Sequence, residues 1–176
     1  SPPPSSVCHC YRRRFGLFSV YGVGLYVAED DVDSLSTTTD ILRGSTEAQL
    51  QLKFCRSVED GTVSNSMKEA MAPRMPKGEE ETLDRFLETF NDLIGGPAYD
   101  GLVVGFHWSA GTLTTFVEDE SGDSRTELSI KSESIPRALF AVYIDDDAVV
   151  PAEKFIDGLQ NLKQAAIAAA ADAASN

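Results

Sequence analysis

Residues 20–27 read VYGVGLYV, an apolar strand pattern with two glycines on one side. In an extended chain successive side chains point to opposite faces, so Tyr21, Val23, Leu25 and Val27 share one face and Phe18, Val20, Gly22, Gly24 and Tyr26 the other. Both faces are apolar, which predicts a strand covered on both sides. Glycine weakens a strand and marks a close approach by a neighbour, expected here to be the protein's own chain. A dinucleotide fingerprint does not fit. Its glycines belong at a strand-to-helix turn, whereas here they lie inside the strand with Val27 at the third position.

The remaining pattern extends this strand into a sheet. Residues 7–14 and 17–27 are strand-like and meet at Phe15-Gly16, which predicts a hairpin. A short helix is expected over 31–43, ending at Gly44. Leu50, Leu52 and Phe54 alternate with Gln49, Gln51 and Lys53, the period of a half-buried strand within 49–58. Residues 63–72 read as a helix stopped by Pro73. Leu83, Phe86, Leu87, Phe90 and Ile94 make one apolar stripe on a helix over 79–94 that ends at Gly95-Gly96. Strands at 101–108, 112–118 and 124–130 follow, separated by turn-rich SAG and EDESGD, and predict a meander. Ser134 and Pro136 open a helix through 144, and Pro151 opens the last. Antiparallel strands with clustered helices define an α+β fold, an antiparallel β-sheet backed on one face by a layer of α-helices.

Composition narrows the partners. The 28 acidic and 15 basic residues leave a net charge of −13, a field that repels phosphate backbones and anionic lipid surfaces, so nucleic acid is not an expected partner. That field leaves room for a small anion in a sheltered pocket, where a nearby arginine outweighs distant screened carboxylates. No apolar run approaches the roughly 18 to 20 residues that span a bilayer. Three cysteines, an odd number without framework spacing, favour a reducing compartment. The 176 residues suit a single domain over 7–165. SPPPSS at 1–6 reads as a disordered leader or the scar of a removed presequence, and 166–176 as an alanine-rich tail that frays.

Several residues that look chemical have structural readings. On a strand Cys8 and Cys10 share a face that His9 leaves, so the three do not converge on a metal. Cys55 reads as a small buried hydrophobe. His107, beside Trp108 and without a nucleophile motif, reads as a hydrogen-bonded structural histidine. Asp145-Asp146-Asp147 suits a solvated loop leading to the next helix, and Glu79-Glu80-Glu81 the first turn of theirs. Neither a metal nor a cofactor is expected.

VYGVGLYV, followed in order by LQLKFCRSVEDGTVSNSMKEAMAPRM, RFLETF and ALFAVYIDDDAVVPAEK, resembles the chalcone isomerase family, including its non-catalytic fatty-acid-binding branch. The likeness covers about residues 8–163. It implies an open sandwich of sheet and helices with a ligand cleft between them. In this alignment the Tyr21 face looks into the cleft and the glycine face lies against the protein's own chain. The family's early G-x-G-x-R falls on Cys8-His9-Cys10-Tyr11-Arg12, with both glycines replaced and the arginine kept; a one-residue slip brings Arg13 to that place. A threonine of the catalytic branch is replaced by Tyr21, as in the fatty-acid-binding branch. The catalytic lysine, tyrosine and asparagine fall on Phe54, Val63 and Ala70, and the late threonine on Val142. The family commonly carries sequence before its arginine strand, so this chain reads as truncated or processed.

These losses bear on chemistry. Closing a chalcone to a flavanone needs a positioned phenolate, stabilisation of enolate charge and a delivered proton, none of which Phe54, Val63, Ala70 or Val142 supplies. The resemblance therefore implies non-catalytic binding of a fatty acid or similar long-chain carboxylate, with no catalytic residue. Arg12 and Tyr21 hold the head, and Val23, Leu25, Phe54, Val63, Ala70 and Val142 line the tail. A plastid address also follows from the plant and algal branch. The alternatives are an isomerase whose missing groups come from elsewhere or from a shifted alignment, and a ligand-free partner that assists other enzymes.

Overall fold

The chain lays its strands side by side in the order in which it makes them. A computed structural model describes the backbone of residues 6–15 and 18–175 and the side chains of residues 20–175. Residues 1–5 of the leader read at 1–6, the side chains of Cys8, His9 and Cys10, and the side chain of Arg12 lie outside the described residues, and Ser6 begins the first strand. Strands β1 (Ser6–Phe15), β2 (Phe18–Val27), β3 (Ala48–Phe54), β4 (Val103–Ser109), β5 (Thr112–Glu118) and β6 (Arg125–Lys131) form one antiparallel sheet in that order. Helices α1 (Thr62–Met71), α2 (Glu80–Ile94), α3 (Ser134–Ile144) and α4 (Glu153–Ala174) complete the α+β architecture.

The register explains where the core lies. Paired residues share a face of an antiparallel ladder, and the rows Val23–Leu52–Val104–Val117 and Val27–Ala48–Trp108–Leu113 are buried from β2 to β5. Leu25, Leu50 and Phe106 form the row between them. Helix α2 seals part of this face through its stripe: Phe90 stacks on Phe86 at 6.2 Å and meets Phe106 at 5.7 Å. Phe140 of α3 meets Trp108 at 5.5 Å. Each such aromatic contact adds about 0.5–1.5 kcal/mol beyond area burial.

The opposite face is built differently. In register with Gly22, Gly24 and Tyr26 stand Lys53, Gln51 and Gln49, so the apolar outer face of β2 has polar neighbours. What crowds Gly24, and Gly105 on the same face, is aromatic. A Cβ on Gly24 would lie 2.9 Å from the Tyr26 ring, and one on Gly105 only 1.9 Å from the ring of Phe116, its cross-strand partner. The Arg125 guanidinium in turn lies 3.9 Å over the Phe116 ring. The rings cover backbone that glycine leaves bare, a known device for glycine in sheets.

Three local expectations need correction. The single helix expected over 31–43 is two 3-10 turns, Glu29–Ser34 and Thr38–Arg43. Asp40 accepts the N–H groups of Ser36 and Thr37 at 2.8 and 3.1 Å, which competes with a continuous helix across the gap. The Thr37 and Ser36 bonds, aided by Arg43, hold the Asp40 carboxyl below its ordinary range despite an opposing desolvation effect. The strand expected within 49–58 ends at Phe54, so Cys55 is exposed and not a buried hydrophobe. Glu79 precedes α2, where its carboxylate accepts the Ser134 hydroxyl; Glu80 and Glu81 occupy the first turn.

Candidate functional site

Beyond the rows that α2 seals, the helices stand away from the sheet. A cavity of about 400 Å³ opens between the β2–β3 end and helices α1 and α3. Tyr21 and Phe54, cross-strand partners with ring centroids 5.7 Å apart, bound it on the sheet side together with Leu52. Val63, Met67, Ala70 and Met71 line it from α1, and Leu139, Val142 and Tyr143 from α3. The spacing i, i+4, i+7, i+8 on α1 is that of a single helix face.

The chain's local chemistry makes this hollow. Gly61, at φ +74°, turns the chain into α1, and Pro73 lies in the 3-10 turn Ala72–Arg74 that follows it. Between them the cavity face carries small or flexible side chains, so it does not reach the sheet as the α2 rings do. Methionine is the adaptable filler of such gaps. The wall is fastened at its edges by polar contacts. Ser64 Oγ donates to Asn91 of α2 at 3.1 Å, and Lys68 pairs with Asp84 at 2.7 Å. At the other end Arg74 forks onto Asp145, with Nε and Nη2 at 2.7 and 3.0 Å from its two carboxylate oxygens, and also donates to the Ala70 and Asp147 carbonyls. The Asp145 bond raises the pKa of the guanidinium above its ordinary value.

The sequence-predicted residues divide. Tyr21, Phe54, Val63, Ala70 and Val142 lie together around the cavity. Val23 and Leu25, expected to line it as well, are fully buried further along β2, paired with Leu52 and Leu50 in the packed core. The backbone of Arg12 pairs with Gly22, and that of Arg13 with Tyr21, which puts the Arg13 position in the register row of the cavity. Sequence reasoning missed Arg56, Met67, Met71, Leu139 and Tyr143. Two of these were within reach, because Met67 and Met71 continue the helical spacing from Val63.

The lining's one charged group stands with two hydroxyl residues at the exposed side, while Tyr21, Tyr143 and Ser66 bring further hydroxyl groups to the same lining. Arg56, Ser57 and Thr62 are exposed lining residues at the rim, whereas Tyr21, Phe54, Met71 and Leu139 are buried inside. Arg56 is the only charged side chain among the described lining residues. An apolar chamber with a cation and hydroxyls at its edge can bury a tail and hold an anion.

The sequence matches the Chalcone isomerase-like family over residues 10–161. The chain belongs to that family. No curated protein matches it. Among solved structures, this chalcone isomerase-like chain is similar to the Arabidopsis thaliana fatty-acid binding protein AtFAP1, at 18% sequence identity and a TM-score of 0.68. The match covers 92% of this chain and 91% of the Arabidopsis one, so the likeness of fold runs through nearly the whole of both.

Elsewhere on the chalcone isomerase-like scaffold the remaining candidates have local partners. His107 Nε2 lies 2.7 Å from Glu47 Oε1 on the outer face of the sheet. Asp145 is engaged by Arg74 and also accepts the Asp147 N–H at 2.9 Å, which closes the loop after α3. Among the described residues, no group of three His, Cys, Asp or Glu side chains is placed to hold a metal, and no helix is long and apolar enough to cross a membrane.

Proposed function

We propose that the chain binds a long-chain fatty acid, or a similar long-chain carboxylate, without converting it, in the cavity between β2–β3 and α1–α3. The observation that carries this reading is the lining itself. In a protein of net charge −13, no carboxylate is found among the described lining residues, and their one ionised group is an arginine at the rim. The positions where the isomerase branch resembled by the sequence places catalytic polar groups, Phe54, Val63, Ala70 and Val142, carry apolar side chains that move no proton. The name of the similar Arabidopsis fatty-acid binding protein supports the same ligand class.

Magnitudes divide the work. Each buried methylene contributes about 0.8 kcal/mol, so a dozen give roughly 10 kcal/mol before ordering and association costs. One charged hydrogen bond nets about 1.5–3 kcal/mol. The tail therefore sets affinity and the arginines set orientation. On β1 that role falls to Arg12 or to its neighbour Arg13, the latter supported by its pairing with Tyr21.

The test is to extract the purified protein with organic solvent, identify what is released by mass spectrometry, and titrate the stripped protein with a fatty acid while following chalcone absorbance in a parallel cuvette. Saturable fatty-acid binding with no chalcone loss above background is expected. Rapid chalcone loss with no lipid bound would overturn the proposal in favour of the isomerase.

A further inference from the structure

We infer that Arg56 is a head-group residue of the cavity: the ligand lies tail-inward with its anionic end at the rim formed by the end of β3 and the start of α1. This rests on the fatty-acid reading above and goes beyond it by fixing the ligand's direction and the chemistry of its outer end. The charge of the described lining is one-sided. Its interior is closed by Met71, Leu139 and Val142, each no more than 4% exposed, whereas its rim carries the Arg56 guanidinium with the Ser57 and Thr62 hydroxyls.

An anion placed at the apolar end would lose hydration without a countercharge, an arrangement costing several kcal/mol, whereas at the rim it meets a cation and keeps part of its water. Arginine suits this place because its planar fork holds a carboxylate by two parallel bonds and stays charged at any working pH. Arg56 also stands two residues beyond Phe54, which pairs with Tyr21, which pairs with Arg13. The rim cation and the backbone position of Arg13 are therefore at the same end of the sheet, on either side of β2. A cavity of about 400 Å³ falls in the roughly 300–1,000 Å³ range of small-molecule pockets. Dodecanoate serves as the long-chain carboxylate probe, and a head larger than a bare carboxylate is accommodated because it faces solvent.

The experiment titrates dodecanoate, dodecanoylglycine and dodecanol into the wild-type protein, Arg56→Gln, Arg56→Lys and Arg13→Ala. Arg56 is exposed, so its replacement leaves the packed core untouched. We expect Arg56→Gln to weaken both anions by about tenfold, the equivalent of one partly solvated charged bond. Dodecanol affinity should change less than about twofold, and Arg56→Lys should recover part of the loss, a response that a merely structural role would not produce. Wild-type binding of dodecanoate that is equally tight in Arg56→Gln, or weakened only by Arg13→Ala, overturns the assignment of Arg56 and leaves the fatty-acid reading standing. Failure of the wild-type protein to bind any of the three overturns that reading and the assignment with it.

Discussion

The two halves of the helical layer face the same sheet and treat it in opposite ways. Helix α2 meets it with Leu83, Phe86, Leu87 and Phe90, all buried, and its rings continue into Phe106 of β4. Helix α1 offers Val63, Met67, Ala70 and Met71 to its part of the layer, and a cavity of about 400 Å³ remains. The difference is one of side-chain reach. A rigid aromatic stripe fills the gap between helix and sheet, whereas valine, alanine and flexible methionine leave room that a guest can occupy. Stability is thus concentrated under α2 and capacity under α1.

That division can be attacked from both sides. Phe90→Ala should be the most costly change, destabilising the fold by about 3–5 kcal/mol as for other large-to-small core substitutions. Urea denaturation checks it, and a loss below about 1 kcal/mol would mean that the α2 half is not the packed one. Ala70→Phe should do the reverse. A ring placed in the hollow ought to weaken fatty-acid binding by roughly a hundredfold, as it takes up the space of several methylenes, while unfolding stability moves by less than about 1.5 kcal/mol. Retained affinity would place the guest elsewhere. Arg74→Ala removes the fork onto Asp145, whose side chains are 15% and 27% exposed. A smaller loss of about 1–3 kcal/mol is expected in thermal or urea unfolding, with faster release of bound fatty acid in stopped flow. Arg74→Lys should not restore it, since an ammonium cannot reproduce the fork.

The parts of the molecule legible in the sequence were those with an unbroken period. Leu50, Leu52 and Phe54 announced β3 by alternation, and the α2 stripe announced both a helix and its buried face. Local competition hid the rest. Asp40 takes backbone N–H groups that a helix over 31–43 would need, and β3 stops at Phe54, where the Gly101 N–H donates to its carbonyl. Cys55 is exposed as a result. The cavity was harder still. Tyr21, Phe54, Val63, Ala70 and Val142 were gathered by family likeness, because an empty volume depends on how far α1 stands from the sheet, and no period records that distance. Val23 and Leu25 share the Tyr21 face but lie beyond the reach of the hollow, a distinction that alternation alone does not make.

The strand order carries a consequence for how the molecule assembles. Every neighbouring pair in the sheet is consecutive in the chain, and only the join between β3 and β4 spans a long excursion, the one that contains α1 and α2. Closing a loop of roughly fifty residues has a modest entropic cost, but it must be met before the contacts that reward it form. The seam between the first three strands and the last three is thus the sheet pairing with the longest loop to close. The proposed lipid slot takes its sheet side from the first three strands and α3 from beyond the last three, so it exists only after the seam has closed. A nascent or half-folded chain presents no finished berth for a greasy passenger.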